Sequence, residues 1–183
     1  MWKQDQMPTS WMKNSCVWYS QVLTEKIGMQ KFQSYTTKLN YGNMDLSGDK
    51  GKNNGLTNAW LSSSLEEISS KEQIAFLGKL VNNTLPVSRH AHEITKNILF
   101  VEELPGGWKL YGKTGSGVLL SPDRTRKLKI QHGWFIGWIE KDGRVIAFSN
   151  HISDDKKQNT FAGQRAKADV KERLVKIIND SSR

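Results

Sequence analysis

The sequence predicts an α+β chain in which a helical first half gives way to antiparallel sheet and a closing helix. Three observations carry this. Residues 70–82 place Ile74, Phe76 (or Leu77) and Leu80-Val81 at helical spacing. Asp142-Gly143 separates two apolar runs, residues 134–140 and 144–148, and Asp-Gly between such runs marks a tight β-hairpin. Residues 160–178 repeat Ala162, Ala166, Val170, Leu174 and Ile177-Ile178 along one face, as an amphipathic helix does.

The remaining elements follow in order. Residues 4–28 carry one or two helices, and residues 29–39 another that ends before Tyr41-Gly42-Asn43. Residues 45–58 are rich in Asp, Gly and Asn and read as a loop. Residues 86–95 continue helically. Three strands come next: residues 108–111 leading into Lys113, then the two arms of the hairpin. The expected division is a helical part over about residues 1–100, then sheet and closing helix over about 101–183, within one domain.

Composition narrows the function classes. A chain of 183 residues with 37% hydrophobic and 25% charged residues builds a core and is not disordered. Its single cysteine, Cys16, excludes an internal disulfide. No apolar run approaches the roughly 18 residues that span a bilayer. The first residues, Met1-Trp2-Lys3-Gln4-Asp5-Gln6, lack the apolar core of a signal peptide. The formal charge of +9 raises the question of nucleic acid. The basic residues are scattered, however, with one set spread along the closing amphipathic helix, and no aromatic-interleaved basic motif occurs. Neither nucleic acid nor membrane is an expected partner.

One heptapeptide, Tyr111-Gly112-Lys113-Thr114-Gly115-Ser116-Gly117, admits two chemistries. Counted back to Gly107, it matches the phosphate-cradling P-loop. That loop needs small, flexible residues and an immediate helix. Here Trp108, Lys109, Leu110 and Tyr111 are bulky and β-prone, and Gly115, Gly117 and Ser121-Pro122 oppose a helix, so this reading fails. Counted forward, Lys-Thr-Gly-Ser-Gly on a strand is the cationic edge of serine β-lactamases and penicillin-binding proteins. Ser15-Cys16-Val17, Tyr41-Gly42-Asn43, Lys113-Thr114-Gly115 and Trp134-x-x-Gly137 occur in that order. With Trp2-Lys3-Gln4-Asp5-Gln6 and Trp11-Met12-Lys13-Asn14-Ser15 around them, the set resembles class D β-lactamases, the oxacillinases, from residue 2 to about residue 175.

The resemblance implies a β-lactamase/transpeptidase-like (DD-peptidase) fold and a serine hydrolase that opens the β-lactam amide of penicillins through an acyl-serine intermediate. Ser15 matches the serine that relays a proton toward the ring nitrogen. Lys113 matches the fixed cation beside the serines. Thr114 and Ser116 would offer hydroxyls to the substrate carboxylate, and the Ser116 N–H would be one oxyanion donor. Gly115 and Gly117 let the strand approach a ligand. Arg165 matches the carboxylate-binding arginine, whose planar fork suits that group. Trp60 matches the tryptophan beside the family's carboxylated lysine. Tyr41 and Asn43 belong to a turn near the site, where Asn43 can bond backbone. His90-Ala91-His92-Glu93 points its two histidines apart on a helix and is not read as a metal site; His132 and His151 receive no role.

The family's acylating serine lies in Ser-x-x-Lys, well before Ser-x-Val, and only fourteen residues precede Ser15. Three such strings exist, Ser10–Lys13, Ser47–Lys50 and Ser153–Lys156, where chance alone gives about two. None is expected to be the nucleophile. The chain therefore reads as the C-terminal two-thirds of such an enzyme, without its first strands, nucleophile or carboxylated lysine, needing no metal or other cofactor, and inactive as given. The family is periplasmic; these residues alone would stay in the cytoplasm. The expected state is a marginal monomer or an aggregation-prone one, since the family's first strands would otherwise cover the edge beside the Lys-Thr-Gly strand. A penicillin-binding sensor, a peptidoglycan-binding module and an inactive truncated remnant are the alternatives.

Overall fold

The computed structural model describes residues 3–61, 64–66, 68–121 and 126–180; Met1, Trp2 and Pro122, used above, lie outside them. The chain separates into two compact units, Met1–Leu99 and Phe100–Arg183.

The first unit is helical. Helix α1 (Pro8–Asn14) opens on Pro8, whose fixed φ and missing N–H suit a first helical position. It ends at Ser15 in the left-handed region, φ 50° and ψ 50°. Cys16, fully buried, starts α2 (Val17–Ile27). Gly28, at φ 78°, turns the chain into α3 (Met29–Leu39), which ends at Asn40, again left-handed. A four-residue turn, α4 (Gly55–Asn58), interrupts the expected loop. Around it Leu46, Ala59 and Leu65 form a small core, with Phe32 and Trp60 packed against it.

Helix α5 (Ser70–Val81) begins with a reciprocal cap: Glu72 N–H donates to Ser69 Oγ, and Ser69 N–H donates to the Glu72 carboxylate. Its buried face is Gln73, Leu77 and Leu80, so the expectation that Ile74 points inward is corrected. Ile74 is 43% exposed. Leu77 and Leu80 fix the inward direction, and the residue one turn earlier on that stripe is Gln73 rather than Ile74. Ser88 caps a separate helix, α6 (Arg89–Ile98), rather than a continuation from residue 86.

The second unit is a four-stranded antiparallel meander, β1 (Phe100–Leu104), β2 (Trp108–Leu120), β3 (Lys127–Lys141) and β4 (Arg144–Ser153), followed by α7 (Ala162–Asp180). Three strands were expected. β1 escaped because Glu102-Glu103 breaks its alternation, although Glu102 is held by Lys171 at 2.8 Å and Lys167 at 3.7 Å. The hairpin turn sits where expected, with Asp142 and Gly143 at φ 49° and 76°. Its arms run further than their apolar runs, because β3 and β4 stay in register from Lys141↔Arg144 to His132↔Ser153.

Helix α7 lays Ala162, Gly163, Ala166, Val170, Leu174 and Ile178 on one sheet face. Ala166, Val170, Leu174 and Ile178 share a core there with Leu104, Trp108, Leu110, Phe135 and Ile139. Ile177 is 45% exposed, so of the expected pair only Ile178 faces inward. The start of α7 touches the sheet backbone to backbone. A Cβ at Gly133 would overlap Ala162, and one at Gly163 would overlap the Gly115 carbonyl oxygen.

β2 lies between β1 and β3, and β1 accompanies it only as far as Tyr111. Beyond Tyr111 β2 has no second strand neighbour among the described residues, so the Lys-Thr-Gly segment lies at an open edge as expected; β4 is a further open edge that was not expected. Among the described residues the full-length unpaired edge belongs to β4.

Two glycine substitutions are expected to act in opposite directions. Gly133→Ala forces the first turn of α7 off the sheet and should cost about 1–3 kcal/mol in urea unfolding, as overpacking does. Gly78→Ala, in α5 where nothing lies within 4 Å of an added Cβ, should stabilise by about 0.5–1 kcal/mol. Equal effects at the two positions would remove the backbone contact as the reason for Gly133.

Candidate functional site

The sheet unit carries the Lys-Thr-Gly segment on β2. Leu110 is fully buried in the core under α7, and the unbroken β2–β3 register alternates from there. Leu110, Gly112, Thr114 and Ser116 therefore lie on the α7 face, and Tyr111, Lys113, Gly115 and Gly117 on the other. Bulky β-prone residues up to Tyr111 build the strand, and glycines then leave the backbone bare.

Lys113 is half-buried, and its Nζ donates to the Thr114 carbonyl oxygen at 2.8 Å. Burial disfavours the ammonium form and pulls its pKa down to about 8. The same face carries Tyr111 stacked on Trp138, ring centroids 4.8 Å apart and planes within 3°. Trp138 Nε1 donates to Glu140 at 3.1 Å, and burial followed by Glu140 pushes the Tyr111 phenol up to about 12. A desolvated cation beside neutral aromatic surface attracts an anion more strongly than the same cation in water.

Ser116 couples the strand to the helix. The Gly163 N–H, in the first turn of α7, donates to Ser116 Oγ at 2.9 Å. The hydroxyl thus satisfies one of the amides that a helix start leaves unpaired, and it keeps its own proton to donate elsewhere. Half a turn on, Arg165 binds Asp154 through both carboxylate oxygens, each 2.6 Å from Nη2, while Nη1 donates to the Thr160 carbonyl and, at 3.1 Å, to Thr160 Oγ1. The Asp154 side chain is 8% exposed. Sequence reasoning missed Asp154, which sits inside the Ser153–Lys156 string and looks like an exposed turn.

The helical unit holds the other named residues. Ser15 is exposed in the left-handed junction between α1 and α2, a conformation that costs a non-glycine residue and merits attention where it occurs. Tyr41 accepts a 3.3 Å hydrogen bond from Gln73 Nε2 and packs edge-on against Phe76; burial raises its pKa. Asn43 bonds backbone on both ends of its amide: Nδ2 donates to the Ser64 carbonyl at 2.7 Å, and Oδ1 accepts from the Asp45 N–H at 3.2 Å. Trp60 donates to the Leu56 carbonyl at 3.3 Å and packs on the small core.

The three Ser-x-x-Lys strings are also placed. Ser10 Oγ is engaged at the start of α1, accepting from the Met7 N–H at 2.9 Å and lying 3.0 Å from Gln6 Oε1 and 3.1 Å from the Met7 carbonyl. Lys13 points to solvent, and Ser47, Lys50, Ser153 and Lys156 are all exposed. Among the described residues no group of three His, Cys, Asp or Glu side chains could hold a metal. His92 is buried, with Nδ1 3.0 Å from the Ser88 carbonyl.

Two measurements follow from this geometry. Acylation of Lys113 by an amine reagent, followed by peptide mass spectrometry across pH 7–11, should reach half its maximum near pH 8. A midpoint at the ordinary lysine value of about 10.4 would mean that burial does not act on it. The sign for stability is fixed by the same shift. Below pH 8 both folded and unfolded chains hold the proton. Between about 8 and 10.5 only the unfolded chain does, so this lysine adds stability as pH rises through that window. Separately, Asp154→Asn removes a charge-assisted bidentate pair and should lower unfolding free energy by about 1–3 kcal/mol in denaturant melts; an unchanged midpoint would show the pair to be energetically idle.

Comparison with known proteins places this geometry. The description "Penicillin binding protein transpeptidase domain" matches residues 1–176. The chain is 43% identical over 180 residues to β-lactamase OXA-1 of Escherichia coli, covering 98% of this chain and 61% of that protein. Against the crystal structure of the class D β-lactamase OXA-427 it superposes with a TM-score of 0.90 at 42% identity, covering 98% of this chain and 73% of that one. The C-terminal domain of the Bacillus licheniformis BlaR penicillin receptor gives 0.77 at 31% identity, covering 98% and 64%. The chain spans about three fifths of the length of the curated relatives it matches. It belongs to the penicillin-binding protein transpeptidase family, on its class D β-lactamase branch.

Proposed function

We propose that β2 and the start of α7 carry the anion-binding part of a β-lactam site, and that a polypeptide of these 183 residues alone binds β-lactam weakly without hydrolysing it. The observation that supports this most directly is the desolvated ammonium of Lys113 on the strand whose Ser116 hydroxyl is anchored by the Gly163 amide. Lys113 supplies the fixed charge that draws a substrate carboxylate. Ser116, which already accepts from Gly163, donates its own proton to that carboxylate, and Thr114 offers a second hydroxyl. Arg165 reaches an incoming carboxylate only by exchanging it for Asp154; a carboxylate at the edge that β2 leaves open beyond Tyr111 meets Lys113 from one face and the two hydroxyls from the other first. Gly115 leaves the strand edge bare where a ring carbonyl would approach the Ser116 N–H.

Ser15 is proposed as the proton-relaying hydroxyl from its place in Ser-Cys-Val. Hydrolysis needs in addition a serine nucleophile and a base that removes its proton. None of the three Ser-x-x-Lys pairs here offers that: Ser10 is engaged at the start of α1, and the other two are exposed. In a comparable serine hydrolase, loss of the nucleophile alone costs on the order of a millionfold in turnover. Action on penicillins by a polypeptide that carries these two groups as well, and a periplasmic location, belong to the same proposal. The likeness to the BlaR receptor domain favours one second reading, a penicillin-binding sensor domain that is acylated and does not turn over.

Intact-protein mass spectrometry after incubation with excess penicillin, with nitrocefin hydrolysis followed alongside, separates these. The expected result is neither adduct nor turnover. A stable adduct without turnover supports the sensor reading. Turnover would overturn the proposal, and the modified residue would then show whether Ser10, Ser15 or another serine attacks.

A further inference from the structure

Two histidines that the β-lactam reading leaves unused stand side by side on the sheet. His132 is on β3 and His151 on β4. Gly133 meets Ala162 and Gly163 of α7 and Phe135 lies in the core beneath α7, so alternation sends His132 and Trp134 to the opposite face. The register sets Trp134 against His151 and His132 against Ser153, which makes the two histidines a diagonal cross-strand pair on that face. His132 is half-buried and His151 exposed.

Their nitrogens converge. His132 Nδ1 lies 3.3 Å from His151 Nε2, with ring centroids 5.5 Å apart and planes at 68°. That nitrogen–nitrogen separation is a hydrogen bond between the rings, and it also equals the roughly 3.3–3.4 Å at which two imidazole nitrogens stand when each is about 2.0–2.1 Å from one tetrahedral ion, so an ion that displaces the shared proton meets two nitrogens at ligand spacing. The rings are also held in place: Trp134 packs on His151 with centroids 4.3 Å apart, and both histidines stand on adjacent strands of one continuous register. Burial lowers the pKa of His132, and burial followed by the proximity of His132 lowers that of His151, which favours the neutral rings that ligate a metal.

We propose that His132 and His151 form a two-histidine site for a divalent late-transition-metal ion, with water completing the coordination. No third His, Cys, Asp or Glu joins them among the described residues, so the remaining positions are open to solvent. The 3.3 Å spacing is that of a tetrahedral ion such as Zn2+, while Cu2+, which also takes imidazole ligands and heads the general order of divalent affinities, serves as the spectroscopic probe. The site lies on the same sheet face as Lys113 but uses none of the residues assigned to the β-lactam site.

The test uses the full 183-residue chain without a histidine tag, titrated with CuCl2 at pH 7.5 and followed by electron paramagnetic resonance and calorimetry. One ion per chain with two coordinated imidazoles is expected. His132→Asn and His151→Gln should each weaken binding by at least about tenfold, the scale on which loss even of an outer partner is felt. His90→Gln, at an exposed histidine of α6, should change nothing. His151 is exposed, so His151→Gln decides the matter even if His132→Asn fails to fold; circular dichroism reports on both. Binding that survives His151→Gln with two imidazoles still coordinated, or that vanishes in His90→Gln, would overturn the proposal.

Discussion

The contact on which the sheet unit depends is the backbone approach of the first turn of α7 to β2 and β3. Gly133 and Gly163 remove the side chains that would hold the helix away. The Ser116 hydroxyl then takes the Gly163 amide that the helix start leaves without a partner. With that end pinned, the apolar stripe from Ala166 to Ile178 falls along the core, and Asn150 reaches Ala166 and Asp169 from β4. Arg165 and the Lys113–Ser116 segment owe their positions to the same contact. A side chain at Gly133 would therefore disturb the fold and the Lys113–Ser116 segment together.

Charge in this molecule works through desolvation rather than through its total. The chain carries a formal +9, yet most of its cations lie in solvent, where pairs such as Arg173–Asp169 are screened and add little. Lys113 differs because burial makes its ammonium costly and so readier to meet an anion. Arg165 differs in the other direction: a partly buried carboxylate already satisfies it. Two cations near one strand therefore meet different surroundings, one desolvated and one paired with a carboxylate, and residue type alone does not distinguish them.

Legibility from sequence followed the range of the interactions. The helix over residues 29–39, the hairpin at Asp142-Gly143 and the closing helix were legible because local periodicity and turn chemistry specify them. β1 was not, because its acidic pair is tolerated only through Lys167 and Lys171, some seventy residues away. Gln73 could not be foreseen as buried, since its partner Tyr41 lies on another element. At the candidate site Lys113, Thr114 and Ser116 declared themselves as one short motif. Asp154 did not, because its meaning comes only from Arg165, eleven residues on and across a turn. His132 and His151 looked unremarkable because only the β3–β4 register brings them together.

The open edge of β4 has one more consequence. Ten residues of strand, Arg144 to Ser153, end the sheet with a row of amide and carbonyl groups that meet no neighbouring strand among the described residues. Such a row is a template: an extended segment supplied in trans can dock there by main-chain hydrogen bonds alone, with the alternation of side chains setting its register. An edge of that length therefore makes the sheet extensible at β4, so a strand from another polypeptide can lengthen it without any change to the four strands already paired.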